Sequence, residues 1–562
     1  MRKSSTGSTR GSVRLDDEIR GEKMTGAEAM IKCLEAENIT KVFGYPGVAI
    51  APFYEGLYNS GIEHILVRQE QNAGHAASGY ARLSRKPAVC VVTSGPGATN
   101  LITALATAYA DSIPIVAISG QVSSKLLGRD VFQEADMRGA TKSFVKFSYL
   151  VKDPDDIPRV FKEAFYIANT GRKGPVLIDI PMDVQMNELR KPFAYPEEVH
   201  IRGYKPEIRV NINQINRVVS ALQQAKKPLL CAGGGVILGN GEPTIRAFCE
   251  KFNIPVVHTM MGMGVMPKAH PLNFGMLGNN GKPYANKAVE KADVLIVVGA
   301  RIADRAVAKP ESLARRVAVI HIDIDTAEIG KNLGPTIPLV GDVNDIFGVL
   351  IDQDITPADN SWIEELGEIK TSTVDKRVFS DRLVNPNLLV QTLSGKMDDD
   401  AIYVADVGQN QLWSADNYIM KEGRFLTTGG MGTMGYSIPA ALGAKIWSPD
   451  KQTVAVMGDG AFQMSMNELA TMRDCGVPLK ILIVRNGYLG LVREYQYNMY
   501  DAHYEGVDLG SWPRYEKIAE AYDMPFFTCS SNDELDEKID AFLACPDACM
   551  MVCDVDSEDR VK

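Results

Sequence analysis

Several features common in other proteins are missing from this 562-residue chain, and each absence removes a class. No apolar run approaches the roughly 20 residues of a membrane-spanning helix, so no segment reads as a transmembrane span. Positive charge is not in excess. A formal net charge of −10 argues against a nucleic-acid surface, which needs clustered Lys and Arg. No CxxC occurs among the nine cysteines. Cys545, Cys549 and Cys553 recur every fourth residue, which invites a metal reading. However, a Pro follows Cys545, and the last two bracket the apolar run "CMMVC". Buried, reduced thiols of a cytoplasmic protein are expected instead. The polar N-terminus, "MRKSSTGSTRGSVRLDDEIRGEK", lacks the apolar core of a secretory signal. It reads as a disordered tail over residues 1–23, although its basic, Ser-rich start also fits a transit peptide. Low-complexity segments and short repeats are absent as well.

What is present is an ordinary soluble composition, 45% apolar and 23% charged. At roughly 150 residues per domain, the length implies about three or four domains. Three segments alternate short apolar strands with helical patterns. The first, 24–190, opens on Thr25 and Glu28 as a capping box and carries "KVFGYPG", "IEHILVR", "AVCVVTSGPG", "IPIVAISG" and "GPVLIDIP". A polar, Pro-bearing stretch at about 189–209 reads as a linker. The second segment, 205–355, carries "KPLLCAGGG", "IPVVHT", "ADVLIVVGAR" and "VAVIHIDID". The third, 385–555, carries "AIYVADVG", "TVAVMGDG" and "LKILIVRNG". This rhythm predicts an α/β fold of three doubly wound parallel sheets, with ligands beyond the carboxyl ends of strands at switch points.

Two motifs carry chemistry. In the third segment a strand ending at Met457 runs into Gly458-Asp459-Gly460, a helix returns over about 464–474, and a second strand runs into Asn486. If the strands are parallel neighbours, their ends lie about 5 Å apart. Asp459 and Asn486 then offer two hard oxygen ligands for Mg²⁺, and the glycines let backbone N–H groups approach phosphate. Gly-Asp-Gly is also common in plain βα turns. In the first segment, "HILVRQEQNAGHAASGYAR" reads as a buried strand ending at Glu70. It is followed by a helix whose Ala73, Gly74, Ala76, Ala77 and Gly79 leave room for another helix or a flat ring. A strand-end Glu is more often simply exposed.

Together with "VFGYPG", "TSGPGATNL", "LLGRDVFQEAD", "FGMLG", "GARIADR" and "GGMGTMGYSIPAA", these stretches resemble the thiamine-diphosphate enzymes. Within them, the chain is similar to the catalytic large subunits of acetohydroxyacid (acetolactate) synthase over about residues 24–520. The resemblance implies a pyrimidine-binding domain, a central FAD-type domain and a diphosphate-binding domain. The active site would be shared by two chains of a homodimer or homotetramer, and a small regulatory subunit is a frequent partner. Glu70 would hold the aminopyrimidine, with the small residues behind it letting the dimer mate approach. Asp459, Asn486 and the Tyr488 carbonyl would hold Mg²⁺. Gly47, Gly408, Gln409, Gly432, Gly460 and Ala461 would contact thiamine diphosphate, and Met434 would wedge beneath it. Phe132 and Gln133 would face the reacting carbon. Arg305 would bind the carboxylate of a second 2-oxo acid. Gly234, Gly235, Gly299, Ala300, Arg301, Asp323 and Asp342, with Arg172 from the first domain, would bind an FAD that has no redox task. The implied reaction decarboxylates pyruvate and transfers its two-carbon unit to pyruvate or 2-oxobutanoate, the first common step of branched-chain amino-acid synthesis.

The chain departs from the family pattern at Val48, Ser123, Met182, Ala303, Arg485 and Tyr495, and it ends on "CDVDSEDRVK", where the family usually continues. Tyr495 stands where a Trp favours the larger acceptor, so a weaker preference for 2-oxobutanoate is expected. Rival readings are a pyruvate oxidase, an oxo-acid decarboxylase, a carboligase with another acceptor, and a paralogue without turnover.

Overall fold

Short runs rich in Val and Ile that end on glycine suit strands covered on both faces, and here they become parallel strands. The structure, a computed structural model, describes residues 23–307, 309–334, 336–374, 377–510 and 513–561. The expected N-terminal tail therefore lies outside the described residues, except for Lys23. The first sheet holds β1 (Lys41–Tyr45), β2 (Glu63–Leu66), β3 (Ala88–Val92), β4 (Ile115–Gln121), β5 (Phe147–Leu150) and β6 (Val176–Pro181), in the order β2-β1-β3-β4-β6-β5. The second holds β7 (Pro228–Ala232), β8 (Val256–His258), β9 (Asn273–Met276), β10 (Val294–Val298), β11 (Ala318–Asp323) and β12 (Ile337–Val340), ordered β12-β11-β10-β7-β8-β9. The third holds β13 (Ile402–Ala405), β14 (Arg424–Leu426), β15 (Thr453–Gly458), β16 (Lys480–Arg485), β17 (Phe526–Cys529) and β18 (Cys549–Asp554), ordered β14-β13-β15-β16-β18-β17. Residues 191–210 between the first two sheets carry no helix or strand, though Phe193, Tyr195 and Tyr204 pack on the first core.

The strand orders decide where ligands can bind. Connections leave in opposite directions between β1 and β3, between β7 and β10, and between β13 and β15. A crevice opens at the carboxyl ends of each pair. Gly47 and Thr93 stand at the first crevice, Gly233–Gly235 and Gly299 at the second, and Gly408 and Asp459 at the third. Glycine is required at the second: a Cβ on Gly235 would lie 2.7 Å from the Gly299 Cα, and Gly299 itself has φ +56°.

One local expectation changes and another gains a partner within the chain. "HILVR" was expected to be a buried strand, but β2 is a four-residue edge strand with Ile65 its only buried residue. The edge position explains this, because one side of β2 has no neighbouring strand. The small-residue helix, Glu70–Ser84, was expected to let a dimer mate approach, and within this chain it already receives a second helix at close range. Its partner is Ser437–Trp447 of the third segment. A Cβ on Gly79 would fall 1.9 Å from the Ala440 carbonyl oxygen, and one on Gly443 would fall 1.9 Å from that of Ala76. His75, buried in this crossing, meets Tyr436 edge-on at 5.3 Å, and burial pushes its imidazole down to about 3.

Candidate active site

The third crevice is built from strand ends. β15 and β16 pair in parallel register, Gly458 opposite Val484, so Asp459 and Asn486 emerge side by side. Asp459 is 1% exposed. It accepts hydrogen bonds from the Gly460 and Gly487 amides at 3.0 and 2.7 Å. Asn486 accepts from the Tyr488 amide at 3.0 Å and donates to the Gln409 side chain at 3.1 Å. A cavity of about 60 Å³ opens here, lined by Gly408, Met434, Asp459, Gly460, Asn486 and Tyr488. Ala461 and Gln409 also line it. The returning helix expected over 464–474 is two pieces, Asp459–Ser465 and Glu468–Asp474, so Asp459 itself opens a helix. Burial holds its carboxyl above the ordinary carboxylate value, and among the described residues no cationic side chain pairs with it. A buried acid with hard neutral oxygens beside it, and no counter-charge, fits a Mg²⁺ ion.

Gly408 adopts φ +126°, and a Cβ there would meet nothing within 4 Å, which leaves its backbone open to the cavity. Gln409 sends its amide away from the cavity, donating to Glu494 at 2.9 Å and to the Asp559 carbonyl at 3.1 Å. Only its backbone and its contact with Asn486 face the site. Asp406, at the end of β13, escaped the sequence reading. It is fully buried and accepts from the amides of Val407, Gly435 and Ser437 at 2.8, 3.0 and 2.8 Å. It thereby fixes the Gly-rich turn that presents Met434. The only signal in the sequence was an Asp after a strand, which many βα turns show.

Glu70 opens its helix on the first sheet, half-buried. It accepts from the Asn100 side chain at 3.0 Å, and a Cβ on Gly97 would lie 3.3 Å from its Oε1. The hydroxyls of Thr93 and Ser94, in the strand-end loop nearby, are buried without partners among the described residues. Gln133 has φ +61° and packs on Gly95, while Phe132 is 87% exposed and Val48 74% exposed. Within one chain, Glu70, Gly47, Phe132 and Gln133 do not line the Asp459 cavity. Gly432 lines a different, larger cavity from the one that Met434 lines.

That larger cavity, about 1060 Å³, lies between the second sheet and the other two. All of Gly234, Gly235, Gly299, Ala300, Arg301, Asp323 and Asp342 line it, together with Arg172 and Arg305. Leu491 lines both cavities. Arg172 pairs with Asp325 at 3.2 Å and Glu328 at 2.9 Å. Asp342 accepts from the Asn344 amide at 2.8 Å, capping a helix, and burial pushes Asp323 up to about 6. The Arg82 Nε, Glu328 Oε2 and Thr428 hydroxyl on its walls are buried without partners among the described residues. Volume, glycine turns and orphaned polar atoms suit a large, polar, phosphate-bearing ligand such as FAD. Ala303 lines the same cavity. Arg305 stands at its mouth, 84% exposed and 3.8 Å from Asp304.

At Arg485, another departure, the guanidinium forms a two-pronged pair with Asp554 of β18 at 2.5 and 2.8 Å. Cys33, Cys90, Cys231, Cys249, Cys529, Cys549 and Cys553 are buried thiols. Among the described residues, no helix is long and apolar enough to cross a membrane.

Three switch-point crevices on three parallel sheets, one with a carboxylate and amide for a metal and phosphate, define the class of thiamine-dependent α/β enzymes. Comparison with known proteins agrees. Residues 24–140 match the thiamine pyrophosphate enzyme N-terminal TPP binding domain, 215–350 the central domain and 406–554 the C-terminal TPP binding domain. The probable acetolactate synthase large subunit of Methanocaldococcus jannaschii is 43% identical over 92% of this chain and 89% of that protein. The acetolactate synthase large subunit of Corynebacterium glutamicum is 44% identical over 88% of this chain and 80% of its own length. The acetolactate synthase of Mycobacterium bovis is 42% identical over 95% and 88%. The chain belongs to the acetolactate synthase large-subunit family of thiamine pyrophosphate enzymes.

Proposed function

We propose that the protein is the catalytic subunit of an acetolactate synthase, joining the two-carbon unit of pyruvate to a second 2-oxo acid with loss of CO₂. The Asp459–Asn486 cavity carries this reading. It supplies a metal and phosphate seat on the third sheet, while the acid needed by the cofactor's other ring stands apart on the first. The three sheets support domains at 24–190, 205–355 and 385–555.

Thiamine diphosphate, when bound, supplies the electron sink that lets pyruvate lose CO₂. The chain's residues do the rest. Asp459, Asn486 and the Tyr488 carbonyl hold Mg²⁺, and the open backbone at Gly408, Gly460 and Ala461 takes the diphosphate. Met434, held by the turn that Asp406 fixes, would pack against the cofactor. Glu70 would hydrogen-bond the aminopyrimidine's ring nitrogen, giving it a proton and then holding the N–H as a carboxylate, which favours the imino tautomer. Gly47, Phe132 and Gln133 form the wall beside the reacting carbon. Arg305 offers a planar cationic fork to the acceptor's carboxylate. Because Glu70 does not line the Asp459 cavity of its own chain, two chains complete each site, as a homodimer or homotetramer. Exposed Phe132 and Val48 support the same arrangement. FAD occupies the larger cavity. The names of the relatives support a small regulatory partner, and the buried thiols support a cytoplasmic location.

The deciding experiment feeds pyruvate, thiamine diphosphate and Mg²⁺ to the purified protein and identifies the product. Acetolactate supports the reading, whereas acetaldehyde, or acetate with peroxide, overturns it. Tyr495, 55% exposed on the helix Gly490–Met499 whose first turn lines the Asp459 cavity, is expected to leave the acceptor preference weak, since one methylene is worth about 1–3 kcal/mol. Equal pyruvate and 2-oxobutanoate should therefore yield comparable amounts of both products, and a strong excess of acetohydroxybutyrate would refute this.

A further inference from the structure

Neither the motifs nor the family match accounts for Glu468. It opens the helix Glu468–Asp474, nine residues after Asp459, and is fully buried. Its carboxyl leaves its own sheet and reaches the turn that launches the Glu70 helix. Oε1 accepts from the Arg68 amide and from the Asn72 side chain, both at 2.9 Å. Oε2 lies 2.6 Å from the Thr471 hydroxyl, which in turn lies 3.1 Å from the Leu66 carbonyl. Asp474, one turn further on, pairs with the Arg68 guanidinium. Positions 468, 471 and 474 of one short helix thus grip residues 66, 68 and 72, on both sides of Glu70. Burial raises the Glu468 carboxyl above its ordinary value, as expected where desolvation outweighs three good donors.

We propose that Glu468 is a positioning residue for Glu70, clamping the β2-to-helix turn so that the Glu70 carboxylate is held in place before any ligand binds. Its bonds can fix Glu70 because they fall two residues before it and two after it. Glu70 itself has only the Asn100 side chain as a hydrogen-bond donor among the described residues. A buried carboxyl with both oxygens engaged is stiff, and removing it strands the Asn72 amide and the Arg68 N–H in the interior. Gln at this position can make the same bonds. Its Oε1 takes both donors, and its amide donates to Thr471, whose hydroxyl then serves the Leu66 carbonyl.

The inference rests on the reading of Glu70 given above, and the test separates the two. Glu468→Ala, Glu468→Gln and Glu70→Gln are compared by steady-state kinetics with pyruvate and by amide hydrogen exchange of the protein without added cofactor. For Glu468→Ala, kcat should fall about tenfold or more with KM for pyruvate little changed, as a small misplacement of a reacting group costs that much. Exchange should quicken over residues 66–74 and stay unchanged in β7–β12. Glu468→Gln should restore both. Glu70→Gln should lose activity with normal exchange at 66–74. If it stays active, the reading of Glu70 fails, whatever Glu468 does. Wild-type kcat in Glu468→Ala, or loss of exchange protection spread over all three sheets, would overturn the clamp, as would failure of Glu468→Gln to rescue. Should Glu468→Ala not be recovered folded, Asn72→Ala removes one arm of the clamp and should show the same localised exchange and a smaller fall in kcat. No change in either would overturn the proposal.

Discussion

Glu70 is a carboxylate held by a single amide donor at the first turn of a helix, and that economy suits a group reserved for a ligand. Replacing it with Gln keeps the shape and removes the charge. Activity is expected to fall about 10²-fold or more, while the thermal midpoint stays within a degree or two of wild type. Full activity in that variant would remove Glu70 from the chemistry. A second buried acid does something different. Asp179, in the middle of the first sheet, accepts from Ser119 at 2.7 Å and Gln121 at 3.0 Å, yet burial pushes it up to about 7 from 3.8. Folded, it keeps a proton that the unfolded chain releases, so the folded state binds more protons between those values. Stability must then fall as pH rises through that window. Asp179→Asn cannot ionise, so its denaturation midpoint should gain on wild type as pH is raised from 4 to 8. A constant difference would contradict the assignment. Asp459 and Asn486 were readable as a pair because a right-handed crossover leaves little choice for two neighbouring strand ends. Asp406 and Glu468 were not, because the partners that give them their roles lie 29 to 31 and about 400 residues away.

At the scale of elements, the small side chains behind Glu70 announced a close approach but not its partner. The structure assigns that role to Ser437–Trp447, crossing so closely that two glycines touch backbone carbonyls of the facing helix. Gly443→Ala would put a methyl group against the Ala76 carbonyl, where no flexible side chain can move aside. It should cost about 1–3 kcal/mol in a denaturant titration. It should also lower activity, because the displaced helix bears Glu70. A neutral result would mean that the crossing tolerates separation. The strand "HILVR" shows the opposite case. Its apolar letters fit a covered strand, yet the order of strands makes it an edge. Order is set by which helices cross which face, and hydrophobic periodicity carries no record of that.

For the whole molecule, the larger cavity tests whether the second sheet still serves a flavin. Its glycine turns, basic side chains and orphaned polar atoms favour one, and Ala303 on its wall adds little bulk to obstruct it. Protein purified without added cofactor is expected to show flavin absorbance near one equivalent per chain. After flavin removal, the thermal midpoint should fall, since a ligand bound only to the folded state stabilises it. Colourless protein whose midpoint ignores added FAD would reassign the cavity.

By itself the sequence determined what local chemistry dictates. Strands end in glycine, helices begin at caps, and acids sit where a strand stops, so the α/β class and the Asp459–Asn486 pair followed from patterns a few residues long. Only the tertiary structure decided which strands lie at edges, which helix fills the groove behind Glu70, and that Glu468 reaches across to the turn before it. Those contacts join residues hundreds of positions apart, and their energy comes from burial and hydrogen bonding between elements that neither one's own sequence specifies.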